Sequence, residues 1–173
     1  DRLIQDLIKP GENPEVGLLA AQGEIKIRIA AVADGDEAVA ALIDPVAAEI
    51  RSRLGSKIFG QGDDTLEGVI HSLLRLRGLT LALLETFTGG LAAERLFAVP
   101  GSRLRQSCVI PDLGRVAEYL GQDRVVAGPE CALDLAHRVR EKGGADVGLA
   151  ILGFVEENQG THPVVKGSAA AAG

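Results

Sequence analysis

The chain has no methionine and no tryptophan, and its 173 residues include one tyrosine and four phenylalanines. So few rings leave no set of stacking platforms for single-stranded bases. Cysteine is nearly absent as well: Cys108 and Cys131 lie far apart and neither belongs to a C-x-x-C pair. This excludes a disulfide scaffold and a thiolate zinc site, and it suits a reducing cytosol. Basic charge is short, with 18 Lys and Arg against 24 Asp and Glu, a net charge of −6 and a pI near 5.1. Nucleic-acid binding is therefore disfavoured, since a binder carries the opposite sign. No apolar run approaches the roughly 18 residues of a membrane span, and the start, Asp1 to Asp6, has neither a basic n-region nor an apolar h-region. These absences describe a cytoplasmic protein without a membrane partner. The missing Met at position 1 and the alanine-rich tail, Ser168 to Gly173, point to a fragment of a longer protein or an incomplete sequence.

Apolar material is ample: 46% of residues are hydrophobic and 24% charged, with mean hydropathy +0.17, enough for one ordinary domain or two small ones. Residues 1–9 read as the end of a helix stopped by Pro10-Gly11. A strand pair should follow at 16–20 and 24–30, with Ile25, Ile27 and Ile29 alternating inward against Lys26 and Arg28. From Asp36 to Leu54 the residues Val39, Leu42, Ile43, Val46, Ile50 and Leu54 fall at helical spacing. Pro45 either kinks that helix or opens a second one. A short strand is expected at 57–59, then a helix over 63–77 starting with a capping-box-like Asp64 to Glu67 and closed by Gly78.

Beyond Gly78 the pattern becomes strand, helix, strand, helix, strand, the alternation of an α/β layer fold. Leu79 to Leu84 is a buried strand, 91–98 a helix, 106–110 a strand, 114–120 and 130–142 helices, and 146–152 a strand running into a polar loop at 153–167. The oligoalanine end is compatible with a helix.

The strand-to-helix junction at 84–91 is the most informative stretch. Thr86, Thr88, Gly89 and Gly90 put two hydroxyls and two residues without Cβ where a helix begins, so free N–H groups would face an anion such as a phosphate or carboxylate. The same pattern serves an ordinary N-cap and tight turn. Neither a P-loop nor G-x-G-x-x-G is present. Asp63 and Asp64 read as a turn and helix cap rather than a metal site, and His71, His137 and His162 have no partners at ligand spacing. No metal and no cofactor is expected.

Arg77-Gly-Leu-Thr-Leu-Ala-Leu-Leu-Glu-Thr-Phe-Thr-Gly-Gly90, continuing to Val99-Pro-Gly-Ser102, resembles the start of the CinA C-terminal domain, a family of nicotinamide-nucleotide amidohydrolases. Upstream, Gly11 to Ala20, Gly23 to Arg28 and Phe59 to Glu67 resemble the KH-like middle domain of full-length CinA proteins. Downstream, Ala132 to Ala150 is similar to the last helix and strand before that family's Gly-rich loop, so the resemblance covers most of residues 10–153. It implies a small KH-like α/β domain at 1–62, a three-layer αβα domain at 63–173 with 63–77 as boundary helix, and a homo-oligomer. The family's N-terminal molybdopterin-biosynthesis-like domain has no counterpart, which would make the chain a truncated C-terminal fragment.

The resemblance also implies an activity, deamidation of nicotinamide mononucleotide, with a Ser nucleophile that a downstream Tyr and Lys activate. That Ser falls on Thr86, whose β-methyl restricts its rotamers, and the following Cys falls on Phe87. Glu85, Thr88, Gly89, Gly90, Gly153 and Thr161 fall on ligand-binding positions. The family's Tyr and Lys fall within Pro111 to Val116, so both are lost, and no Lys occurs between Lys57 and Lys142. Glu156 and Glu157 put negative charge where a Gly-rich loop would approach a phosphate. The expectation is an impaired amidase acting through Thr86 on a pyridine nucleotide or another phosphate-bearing small molecule. The alternatives are a non-catalytic nucleotide-sensing or assembly domain, and nucleic-acid binding through the KH-like unit. That unit lacks a G-x-x-G loop with flanking Lys or Arg, and the last alternative would need a basic patch in the fold.

Overall fold

The computed structural model describes residues 2–21, 23–123, 128–156 and 164–173. The chain is mixed α/β and divides into two compact units, residues 1–61 and 62–173.

In the first unit β1 (Glu15–Ala21) and β2 (Glu24–Ala30) pair antiparallel, with Val16 opposite Ile29 and Leu18 opposite Ile27. α1 (Asp36–Leu54) runs as one helix with Pro45 inside it. Its C-terminal half carries the packing. Val46, Ile50 and Leu54 close on Ile4, Val16, Ile27 and Ile29, whereas Val39, Leu42 and Ile43 stay outside that core. Ile25, expected inward, is 59% exposed. It shares a face with Ile27 and Ile29, but alternation fixes only the face, and Ile25 lies outside the core that those two join. The Asn13 amide ties the entry and exit of the hairpin together, donating to the Val32 carbonyl at 2.7 Å and accepting from the Val32 amide at 2.9 Å.

Two further expectations fail in this unit. The helix at 1–9 is only a 3-10 turn at Gln5–Leu7, and the strand at 57–59 is replaced by a 3-10 turn at Gly55–Lys57. In both, a short apolar run gives too few residues for its periodicity to decide.

The second unit is a three-layer αβα sandwich. Its sheet has the order β4-β3-β5-β6. β3 (Leu81–Glu85) pairs parallel with both β4 (Leu104–Val109) and β5 (Val147–Glu156), and β6 (Val164–Ala172) adds antiparallel to β5. All five residues of β3 are buried, which is why Leu81 to Leu84 are a continuous apolar run. Alternate β3 residues point to opposite layers. Leu81 and Leu83 pack against α2 (Leu66–Leu76) and α3 (Leu91–Phe97) on one face. On the other face, Ala82 and Leu84 pack against α5 (Pro129–Gly143), with Val116 of α4 (Leu113–Leu120) completing the layer.

α2 is shorter than the expected 63–77, and its N-cap is Thr65, whose hydroxyl accepts from the Gly68 amide. Asp64 does not cap it. His71, buried on α2, joins two backbones: its Nδ1 accepts from the Arg103 amide at 3.1 Å, so its Nε2–H donates to the Leu96 carbonyl at 2.5 Å. The polar loop expected from 153 onward is also corrected. β5 continues to Glu156, and the oligoalanine segment is a strand rather than a helix.

Candidate functional site

Glu85 ends β3, and residues 86–90 form the turn that opens α3. Gly89 and Gly90 both have positive φ, +65° and +98°, a conformation that L side chains rarely adopt, so the turn needs glycine at these two positions. Gly90 is the N-cap of α3 and has no side chain with which to cap it. Glu85 serves instead. Its side chain is fully buried, and its carboxylate accepts from the amides of Ala92 at 3.0 Å and Ala93 at 2.9 Å, and from the Thr88 hydroxyl. A carboxylate at this position satisfies two amides that the helix leaves unpaired and meets the positive end of the helix.

Thr86 is turned the other way. Its amide donates to the Ile151 carbonyl at 3.0 Å. Its hydroxyl accepts from the Gly153 amide at 3.0 Å and donates to the Gly153 carbonyl at 3.3 Å. The side chain thus extends the β3–β5 ladder by one rung, using a hydroxyl where the backbone has already turned away. Gly153 is held to glycine by contact, since a Cβ there would fall 2.6 Å from the Cβ of Phe87.

The structure therefore brings Glu85, Thr86, Thr88, Gly89 and Gly90, at the C-terminal end of β3, together with Gly153 of the neighbouring β5. Thr161 and Glu157 lie outside the described residues. What the sequence reading missed is the direct packing of Phe87 on Gly153. The apolar Phe87 in an otherwise polar turn was its only signal. Around the turn, Phe87, Leu91 and Val109 are exposed apolar side chains. Among the described residues, no group of three or more His, Cys, Asp and Glu side chains could hold a metal ion.

The positions on which the family's Tyr and Lys fall carry no base. Val116 is fully buried in the apolar layer. The chain's own Tyr119 faces Lys142, whose Nζ lies 4.0 Å from the ring centroid. The Tyr119 hydroxyl is buried with no hydrogen-bond partner among the described residues. Burial, together with the neighbouring Cys108 thiol, pushes its pKa from 10.0 up to about 12. Because the neutral phenol is favoured in the fold, this contribution to stability is present below pH 10 and lost as pH rises towards 12. Tyr119 is the only tyrosine, so tyrosinate absorbance reports it alone. The folded protein should titrate near pH 12 and the denatured chain near pH 10.

A three-layer αβα unit whose capped Thr-Gly-Gly turn closes the end of its central strand is thus preceded by a β-β-α unit. Residues 1–60 match the family model of the damage-inducible protein CinA KH domain. Over 166 residues the chain is 36% identical to a CinA-like protein of Dictyoglomus turgidum, covering 91% of this chain and 40% of that protein. It is 36% identical over 171 residues to a Moorella thermoacetica protein named as competence-damage inducible, covering 94% of this chain and 41% of that one. Among solved structures, a CinA superfamily protein of Escherichia coli superposes with a TM-score of 0.49 at 21% identity, over 69% of this chain and 84% of that chain.

The chain belongs to the CinA family. It spans about two fifths of the length of the curated relatives it matches.

Proposed function

We propose that this chain is a non-hydrolytic CinA-type module, its second unit keeping an amidase-like fold for assembly rather than for cleaving the amide of nicotinamide mononucleotide. The observation that carries this reading is the Thr86 hydroxyl. A nucleophilic hydroxyl needs a neighbouring base to take its proton and a free lone pair to attack with. Thr86 gives its proton to a backbone carbonyl and accepts a backbone amide, both belonging to Gly153. Among the described residues the hydroxyl has no hydrogen bond to a side chain. A Lys restored at position 116 would have to enter the apolar layer under α4, so the family's proton relay cannot be rebuilt by that substitution.

A second reading, sensing of a nucleotide without turnover, is favoured by one observation. The amides of Gly89 and Gly90 take no hydrogen-bond acceptor among the described residues, and two successive free N–H groups suit an anion. Against it stands the buried Glu85 carboxylate one turn away, which repels a phosphate.

Ammonia release from nicotinamide mononucleotide, run beside calorimetric titration with the same ligand, tests both. Neither hydrolysis nor heat of binding is expected, and Thr86→Ser should not gain activity. Binding without ammonia would select the sensing reading, and steady ammonia release by the unaltered protein would overturn both.

A further inference from the structure

α2 leads into β3 and α5 leads into β5, so both helix C-termini lie where the parallel strands begin, at the opposite end of the sheet from the turn at 86–90. Three segments meet there, 77–80, 103–105 and 138–146. The Arg103 guanidinium donates to the carbonyls of Gly78 at 2.9 Å and Leu79 at 2.8 Å, the Thr80 amide and hydroxyl donate to Asp146 at 2.8 and 2.6 Å, and the Arg105 guanidinium lies beside Gly144. These segments hold six cations, Arg77, Arg103, Arg105, Arg138, Arg140 and Lys142, and two carboxylates, Glu141 and Asp146. The rest of residues 62–173 holds five cations and twelve carboxylates, so one end of the unit is positive in a chain that is negative overall. Both carboxylates at this end are engaged, Asp146 by Thr80 and Glu141 at 4.0 Å from Arg138. Arg77, Arg105, Arg140 and Lys142 make no ion pair among the described residues.

Cations in a helix's last turn offset its dipole, which accounts for Arg140 and Lys142. It does not account for Arg105. β4 is an edge strand, and Leu81 stands opposite Leu104 while Ala82 stands opposite Gln106, so Arg105 is an extra residue bulged out of the ladder. The bulge sets its exposed side chain just past the end of α5, where a Cβ on Gly144 would lie 3.7 Å from it.

We propose that this end of the second unit binds the phosphate backbone of duplex nucleic acid through Arg77, Arg105, Arg140 and Lys142, without reading its sequence. The local field, not the net charge, decides where a polyanion settles. Three of the four groups are guanidinium forks, which match a phosphate in shape as well as charge. A duplex presents a charge about every 1.7 Å of its axis, so cations spread over three segments can each meet one, whereas an acidic protein would need carboxylates placed to match. Backbone contacts position a protein but carry no sequence information. The surface belongs to the second unit rather than to the KH-like one, and it is independent of what the turn at 86–90 does.

Fluorescence anisotropy of two labelled duplexes of unrelated sequence, titrated with the full chain over a salt series, tests this. Both duplexes should bind alike, and four phosphate contacts predict a slope of about −3.6 in log K against log salt. Arg77→Gln and, separately, Arg105→Gln should weaken binding equally for both sequences and reduce that slope by about 0.9 each, with circular dichroism and melting unchanged. Lys26→Gln with Arg28→Gln, in the first unit, should change neither affinity nor slope. Absence of binding at low salt overturns the proposal, as does a slope indifferent to both arginine substitutions or lost in the Lys26 and Arg28 variant. A preference for one duplex would mean that bases are read, and displacement by polyglutamate as readily as by unlabelled duplex would mean that the surface takes an acidic protein; either result overturns it too.

Discussion

Gly148→Ala should prevent the second unit from reaching its native packing. Gly148 lies in β5 where α5 crosses it, and a Cβ there would fall 1.9 Å from the carbonyl oxygen of Ala136 and 2.8 Å from the Cβ of Arg140. The nearest atom is backbone in the middle of a helix, so no side-chain rotation relieves the clash. α5 must lift instead, and it can lift only by exposing Ala132, Leu135, Ala136 and Val139, all fully buried beneath it. Overpacking of a fixed core costs about 1–3 kcal/mol when side chains can adjust. Here they cannot, and the loss should exceed about 4 kcal/mol, a large part of a domain's whole stability. Thermal melting followed by circular dichroism should show the helical signal reduced and its transition broadened or lost. Gly128→Ala, where a Cβ meets nothing within 4 Å, is the control. A Gly148→Ala chain that melts like the unaltered protein would mean that α5 does not rest directly on the sheet.

That close approach explains what was legible in the sequence and what was not. Leu81 to Leu84 reads as a strand because both faces are covered, and α5 reads as a helix because Cys131, Leu135 and Val139 recur at helical spacing. Both signals are local. β6 is not. Its alanines have weak strand preference, and they form a strand because β5 offers an open edge to pair with: Ala169 to Ala172 stand opposite Ile151 to Gly148. The failed strand at 57–59 and the exposed Ile25 share a cause with it. Periodicity reports the face a residue would turn to, but not whether another element arrives to cover it.

The site divides the same way. Thr86, Thr88, Gly89 and Gly90 marked a strand-to-helix turn from residue type alone, and the positive φ at both glycines is the physical content of that signal. What stayed hidden was the direction in which each polar group is spent. Glu85 reaches forward to the amides of Ala92 and Ala93, and Thr86 reaches across to Gly153, 67 positions along the chain. The first pairing is close in sequence but passes through an irregular turn that no period describes. The second depends on β3 and β5 being neighbours, a property of the sheet order rather than of either segment.

Glu85→Ala should cost about 3 kcal/mol, and this is the outcome that most directly separates a structural carboxylate from one aimed at a ligand. Removing the side chain leaves two helix amides and the Thr88 hydroxyl without their acceptor in a buried place, where each such group carries a desolvation cost and bonds to a charged acceptor are the stronger kind. Glu85→Gln keeps the shape and one oxygen but turns an NH2 towards donors, so it should lose a substantial part of the same stability. For a unit of this size the alanine change corresponds to a fall in melting temperature of about 10 °C. Thr88→Val should cost less alone, and should add little once Glu85 is gone, because both substitutions break the same bond. A carboxylate held in place to meet substrate behaves oppositely. Such charges are commonly maintained at the expense of stability, and their removal leaves melting unchanged or raises it. An unchanged melting temperature in Glu85→Ala would therefore count against the cap and in favour of a turn still built to receive a ligand.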